Sequence, residues 1–220
     1  MTRQSVPDPP QVEHVLWNGY ERGMLGFDVG ANCGQSISHV LEICERVVAF
    51  EPNPGSYAVM HQAWEADDRV ELSILAVSRA RGTVSLAQLP GEQQETGQLV
   101  TPGTSGMEWE PPDWTSVSVD IYPCADLDSL ASEFGVPEFI KVDTEGHEQS
   151  VLAGATGLLS RSVPPDWLIE FHSPEGYAAC VCILEELGEG AYDIQTVRHP
   201  HYPENSHMWH QHGWIKALAR

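Results

Sequence analysis

The sequence is poor in positive charge. Only 11 lysines and arginines stand against 32 aspartates and glutamates, a formal net charge of −21 over 220 residues. A surface of that balance repels a phosphate backbone over most of its area, which argues against nucleic acid as a partner. Long hydrophobic runs are missing as well. No stretch of about 18 apolar residues is available to span a bilayer, and the opening MTRQSVPDPPQVEH has no apolar core of the signal-peptide kind, so no membrane partner is expected and the expected setting is cytoplasmic. Cysteine is sparse and without a framework. Cys33, Cys44, Cys124, Cys180 and Cys182 form an odd set with no C-x-x-C pair, the usage of a reducing compartment. Cys180 and Cys182 stand two apart on a predicted helix and face different directions, which argues against zinc. Two nucleotide motifs are absent too. There is no G-K-[ST] phosphate cradle, and Asn32 stands where a dinucleotide fingerprint needs its second glycine, so neither a nucleotide triphosphate nor a pyrophosphate is supported.

What is present is an alternation of strand and helix patterns. MLGFDV reads as a short buried strand, Gly34 to Glu45 as a helix, RVVAFEP as a second strand, and Pro52, Asn53 and Pro54 open a second helix running to about Glu65, with proline tolerated in its first turn. RVELSILAVS predicts a third strand. RGTVSLAQL and TSVSVDIY predict a strand pair that brackets a Gly/Pro-rich segment at about 87–116, a length typical of either a disordered loop or a functional insert such as a lid. The alternation then resumes with a helix over Asp126–Phe134, the strand PEFIKVD, a helix over Glu148–Leu159, the strand DWLIEFH, a helix over Ser173–Leu187, the strand AYDIQTV and a last strand in MWHQHGWIKAL. This order predicts an α/β fold, a mostly parallel sheet with helices on both faces, preceded by an arm over residues 1–20 of which Val15-Leu16-Trp17 pack on the body. Residues 21–220 are expected to form one domain.

In such sheets ligands lie at the carboxyl ends of the strands. The first strand ends in DVGANCG, where Asp28 is followed by a turn through Gly30, Asn32 and Gly34. Glu51, 23 residues beyond Asp28, is close to the ~20-residue interval at which an acidic residue grips ribose hydroxyls. A ligand with a ribose and no phosphate fits these residues, and S-adenosylmethionine is such a ligand. Asp28 would face its cationic amino-acid end, and Gly30 and Gly34 would let backbone come close.

Four stretches, DVGANCG at 28–34, AFEPNP at 49–54, IKVDTEGHEQSVLAGA at 140–155 and LIEFH at 168–172, resemble the FkbM-type methyltransferases, and the resemblance runs from about Phe27 to Lys216. The third stretch is the distinctive one, with its K-x-D-x-E-G-x-E followed by V-L-x-G. The resemblance implies a Rossmann-like class I methyltransferase with a seven-stranded sheet, S-adenosylmethionine as methyl donor, and O-methylation of a small molecule or sugar-containing natural product. It places Asp28, Gly30, Asn32, Gly34 and Ser36 on the cofactor loop, Glu51 and Pro52 at the ribose, and Ala76 and Val77 on the adenine side. His147 departs from the small residue usual at that position.

Methyl transfer to a hydroxyl needs an aligned acceptor, a proton acceptor and exclusion of water. His172 is the first candidate for general base, because imidazole titrates near neutrality, and Asp143 the second. Glu170 and Lys141 complete the catalytic candidates. A divalent ion on Asp143, Glu145, Glu170 and His172 is an alternative that is not favoured. Glu148 lies in the first turn of a helix, where a carboxylate offsets the dipole. The tail RHPHYPENSHMWHQHGW holds five histidines, His199, His201, His207, His210 and His212, and reads as a surface or substrate-facing loop. The expected partner is a small-molecule acceptor, and a homodimer is compatible with everything above. N-methylation, a nicotinamide-dependent oxidoreductase and a non-catalytic binding protein are the alternatives.

Overall fold

The computed structural model describes residues 15–88, 98–100, 118–198 and 212–220. In chain order the elements are β1 (Gly23–Val29), α1 (Ile37–Ile43), β2 (Cys44–Phe50), α2 (Pro54–Trp64), β3 (Val70–Ser73), β4 (Ala76–Val77), β5 (Gly82–Gln88), β6 (Gln98–Val100), β7 (Ser118–Ala125), α3 (Leu127–Phe134), β8 (Phe139–Val142), α4 (Glu148–Ala153), α5 (Thr156–Leu159), β9 (Asp166–Phe171), α6 (Pro174–Gly188), β10 (Tyr192–Arg198) and β11 (Gly213–Ala219).

Seven strands form one sheet in the order β10-β11-β9-β8-β1-β2-β3. β3, β2, β1, β8 and β9 are mutually parallel, and β11 runs antiparallel to both of its neighbours. Strand order reverses beside β1, so the crevice above the β1 and β8 carboxyl ends is the switch point at which ligands collect. Side-chain alternation sorts the two faces. Phe27, Val29, Ile140, Val142, Trp167, Ile169 and Phe171 enter one apolar cluster with α3 to α6. Phe139 and Leu168 enter the other with α1 and α2. By the same alternation, Asp28, Lys141 and Glu170 share the second face, so the central strands carry a charged row across it.

Several element boundaries differ from the sequence pattern, each for a local reason. The first helix stops at Ile43, because Cys44 turns extended and pairs with Gly23. The expected third strand divides. Val70–Ser73 joins the main sheet, whereas Ala76–Val77 pairs with β7 in a second sheet of order β4-β7-β5-β6. The helix expected over Glu148–Leu159 breaks at Gly154, whose missing side chain makes room for the Ser78 carbonyl. Asp128 then caps the second piece, accepting from Gly157 N and Leu158 N at 2.7 and 2.9 Å.

The strand pair bracketing the insert is present as antiparallel β5 and β7, and β6 adds to the β5 edge. Most of the expected lid at 87–116 lies outside the described residues, as do residues 1–14 and 199–211 with four of the tail histidines. Leu16 is buried in the second cluster. Lys216 Nζ fixes this N-terminal segment by donating to the carbonyls of Val15 and Asn18 and lying 4.8 Å from the Tyr20 ring centroid. No helix among the described residues is long and apolar enough to cross a membrane.

Candidate active site

The turn after β1 is held from below and from both sides. Asp28 is fully buried, and Ser36 Oγ donates to its Oδ2 at 2.6 Å. Its Oδ1 has no hydrogen bond and takes its counter-charge from Lys141 Nζ, 3.2 Å away. The backbone passes through left-handed geometry at Gly30 (φ 72°), Asn32 (φ 50°) and Gly34 (φ 85°). Gly30 N–H and Ala31 N–H both donate to the Phe50 carbonyl, at 3.0 and 3.1 Å, which ties the turn to the end of β2.

Packing by itself requires glycine at two of these positions. A side chain on Gly30 would coincide with the Asp143 carbonyl oxygen, and one on Gly34 would come 2.8 Å from Trp64 Nε1. Trp64 Nε1–H donates to the Gly34 carbonyl at 3.1 Å and so seals the far side of the turn. Trp64 carried no sequence signal, because only the fold brings the end of α2 to the turn.

Glu51 ends β2 nearly buried. Its two oxygens accept the backbone N–H groups of Asn32 at 2.9 Å and Asn53 at 2.7 Å, and burial raises its pKa. Each oxygen keeps a second lone pair, as a carboxylate accepts about four hydrogen bonds. Pro52 is buried behind it, and Asn53 caps α2 by accepting from Gly55 N and Ser56 N. Ala76 and Val77 are core residues, 1% and 2% exposed, and their side chains pack in the interior.

The distinctive stretch KVDTEGHE is a loop folded around its last glutamate. Glu148 Oε1 accepts from Thr144 N at 3.0 Å, Thr144 Oγ1 at 3.3 Å and Gly146 N at 2.9 Å, and lies 3.2 Å from His172 Nδ1. Burial favours its neutral form, but His172 and these donors outweigh burial and hold the pKa below the usual range. The role of Glu148 is therefore larger than offsetting a helix dipole, because it shapes the loop that presents Asp143 and Glu145. Glu145 and Gly146 both have positive φ, 52° and 99°, which turns the chain at the rim. His147 points away and lies 2.9 Å from Ser78 Oγ, tying the loop to the end of β4.

His172 sits among four carboxylates. Besides Glu148, its Nε2 lies 3.5 Å from Glu145, 3.7 Å from Asp143 and 3.9 Å from Glu170. Burial alone would lower its pKa; the Glu148 hydrogen bond and the surrounding negative charge outweigh burial and hold it up at about 10. In that state the imidazole has no lone pair with which to take a proton. Glu170 is pushed up to about 7, first by burial and then by Asp143, while its Oε2 accepts from Trp214 Nε1 at 3.0 Å. Asp143, Glu145 and His172 each bring a ligating atom within 4.8 Å of the others, a spacing that a cation could bridge; Glu170, included in the expected metal set, lies outside this group.

Thus the fold gathers Asp28, Lys141, Asp143, Glu145, Glu170 and His172 at the ends of β1, β8 and β9. Asn32 and Glu51 lie beside them, and Ala76 and Val77 are set apart in the second sheet.

Comparison with known proteins accords with this arrangement. The family model described as the methyltransferase FkbM domain matches residues 28–208. No curated protein matches the sequence. Similar solved structures include an rRNA methylase from Streptococcus thermophilus, 10% identical with a TM-score of 0.56 over 98% of each chain. A precorrin-6y C5,15-methyltransferase from Geobacter metallireducens is 11% identical with a TM-score of 0.54, over 100% of this chain and 94% of its own. Aeropyrum pernix fibrillarin, in complex with natively bound S-adenosyl-L-methionine, is 12% identical with a TM-score of 0.51, over 90% of this chain and 67% of its own. At such identities these likenesses speak for the fold, a class I methyltransferase sheet, while the match over most of the chain shows the family: the protein belongs to the FkbM methyltransferases.

Proposed function

We propose that the protein uses S-adenosylmethionine to methylate a hydroxyl group of a small molecule, with Asp143 as proton acceptor. The observation that carries this reading is the row of carboxylates at the ends of β8 and β9, next to a separate pair, Asp28 and Glu51, suited to the cofactor.

Glu51 would receive the ribose hydroxyls on the lone pairs its two backbone donors leave free. Asp28, buried at the end of β1 behind the turn, would supply negative charge near the cationic amino-acid end. When bound, the cofactor supplies an electrophilic methyl group on a sulfonium. Asp143, with 29% of its side chain exposed, is open to an acceptor hydroxyl and can take its proton. His172 is better suited to holding these carboxylates together as an imidazolium than to the general-base role expected of it. Lys141, an ammonium stabilised by two carboxylates, is likewise no proton acceptor. The net charge of −21 favours a neutral or cationic small molecule over RNA, although some fold relatives are named as rRNA methylases.

Calorimetry with S-adenosylmethionine should give saturable binding that Glu51→Ala weakens about 10- to 100-fold, the loss of charge-assisted hydrogen bonds. No saturable binding by the wild type would refute the proposal. In a transfer assay against a panel of hydroxylated metabolites, Asp143→Asn should lower turnover about 100-fold or more on any acceptor found.

A further inference from the structure

The sequence contains two lysines, Lys141 and Lys216, and both are buried. Lys216 serves the N-terminal segment, far along the chain from the strand ends. Lys141 stands in the middle of the charged row, on the central strand β8, and touches two turns at once. Its Nζ donates to the Gly30 carbonyl at 3.0 Å and lies 3.2 Å from Asp28 Oδ1, both in the turn after β1. It also lies 3.6 Å from Asp143 Oδ2, in the turn after β8.

The two turns are in backbone contact as well. Asp143 N–H donates to the Val29 carbonyl at 3.0 Å, and the space a side chain on Gly30 would need is filled by the Asp143 carbonyl. Neutralising one buried ammonium requires one carboxylate. Here the ammonium is divided between two carboxylates on different turns and a carbonyl, so a shift of either turn alters its interaction with the other. Interior charges respond strongly to such shifts because the surroundings screen them weakly.

We propose that Lys141 is a positioning residue that locks the methyl-donor turn to the acceptor-side carboxylate Asp143, so that one buried ammonium sets the separation between donor and base. The proposal rests on the methyl-transfer reading above. Lys141 is removed from the catalytic group, because it touches neither reactant in this reading and acts through Asp28, Gly30 and Asp143.

The lock makes a prediction that a merely structural ion pair does not. Asp143 belongs to the acceptor side, yet its charge should be felt by the cofactor through Lys141. With S-adenosylhomocysteine as probe in calorimetry, Asp143→Asn should weaken binding about 3- to 10-fold, and Lys141→Met about 10-fold or more, while Lys141→Arg restores binding to within about 3-fold of wild type. In the Lys141→Met background, Asp143→Asn should have no further effect, since the coupling between the two sites has been removed. Equal affinity of wild type, Asp143→Asn and Lys141→Met overturns the lock and leaves the methyl-transfer reading standing. An Asp143→Asn effect that persists in full without Lys141 overturns it too. Absence of binding by the wild type overturns the methyl-transfer reading instead, and the lock with it. Should Lys141→Met fail to fold, Asp143→Asn alone decides, because unchanged affinity in that half-exposed rim variant is incompatible with the lock.

Discussion

The imidazolium of His172 gives a quantitative prediction for stability against pH. The native pKa near 10 lies above the ordinary 6.5 of the unfolded chain, so the native state binds a proton that the unfolded state has released. Stability from this group is complete below about pH 6.5 and is lost progressively as pH rises towards 10. Between pH 7.0 and 8.5 the difference for this group approaches one proton, or about 1.36 kcal/mol per pH unit, so His172 should contribute a loss of about 2 kcal/mol over that interval. Other groups also titrate between these values, so the His172 contribution is read as the difference in slope between the wild type and a variant without the imidazole. Glu170, held up at about 7, is only half titrated at pH 7.0, and the buried thiols Cys44 and Cys180, pushed up to about 12, begin to contribute as pH approaches the ordinary thiol range of the unfolded chain. Urea unfolding followed by tryptophan fluorescence at pH 7.0 and 8.5 measures the slope. His172→Gln keeps a donor but removes the titration, and its loss over the interval should be smaller than that of the wild type by about 2 kcal/mol. A difference between wild type and His172→Gln below about 0.5 kcal/mol over the interval would show that the imidazole is neutral and restore it as a candidate base.

Two further predictions address packing. Gly30→Ala should cost about 3 kcal/mol or more in thermal or urea unfolding, because left-handed backbone alone costs roughly 1 to 2 kcal/mol and the Asp143 carbonyl must also move. Gly146→Ala is the control: its φ is 99° but nothing lies within 4 Å of the added carbon, so only the backbone cost of about 1 to 2 kcal/mol should be seen. Lys216→Met should release the segment around Val15–Tyr20, read as faster amide exchange there with protection of β1 and β8 unchanged; uniform loss of protection would contradict the local role assigned to that lysine.

The parallel sheet was legible in the alternation of short apolar strands with helical spacing, because that pattern has few other ways to bury its apolar faces. The placement of Glu51 at the end of the second strand was legible for the same reason, since the distance from Asp28 to Glu51 is one strand-helix-strand unit. Less legible were the limits of short elements. Ala76–Val77 continues the pattern of β3 in sequence but pairs in another sheet, and the break at Gly154 answers to the Ser78 carbonyl, a contact between distant segments.

Local order along the chain thus determined which residues close each strand, and strand order then set them along one rim. Their chemical roles were decided by tertiary structure. Sequence alone gives His172 an ordinary imidazole, and four carboxylates from two segments make it an imidazolium. It gives Glu148 a place at a helix start, and the fold makes it the acceptor around which the Asp143 loop is wound. It gives Gly30 freedom to turn, and the fold fills the vacant space with the Asp143 carbonyl. Charge and steric fit depend on distances across the sheet, and those distances exist only once the strands have paired.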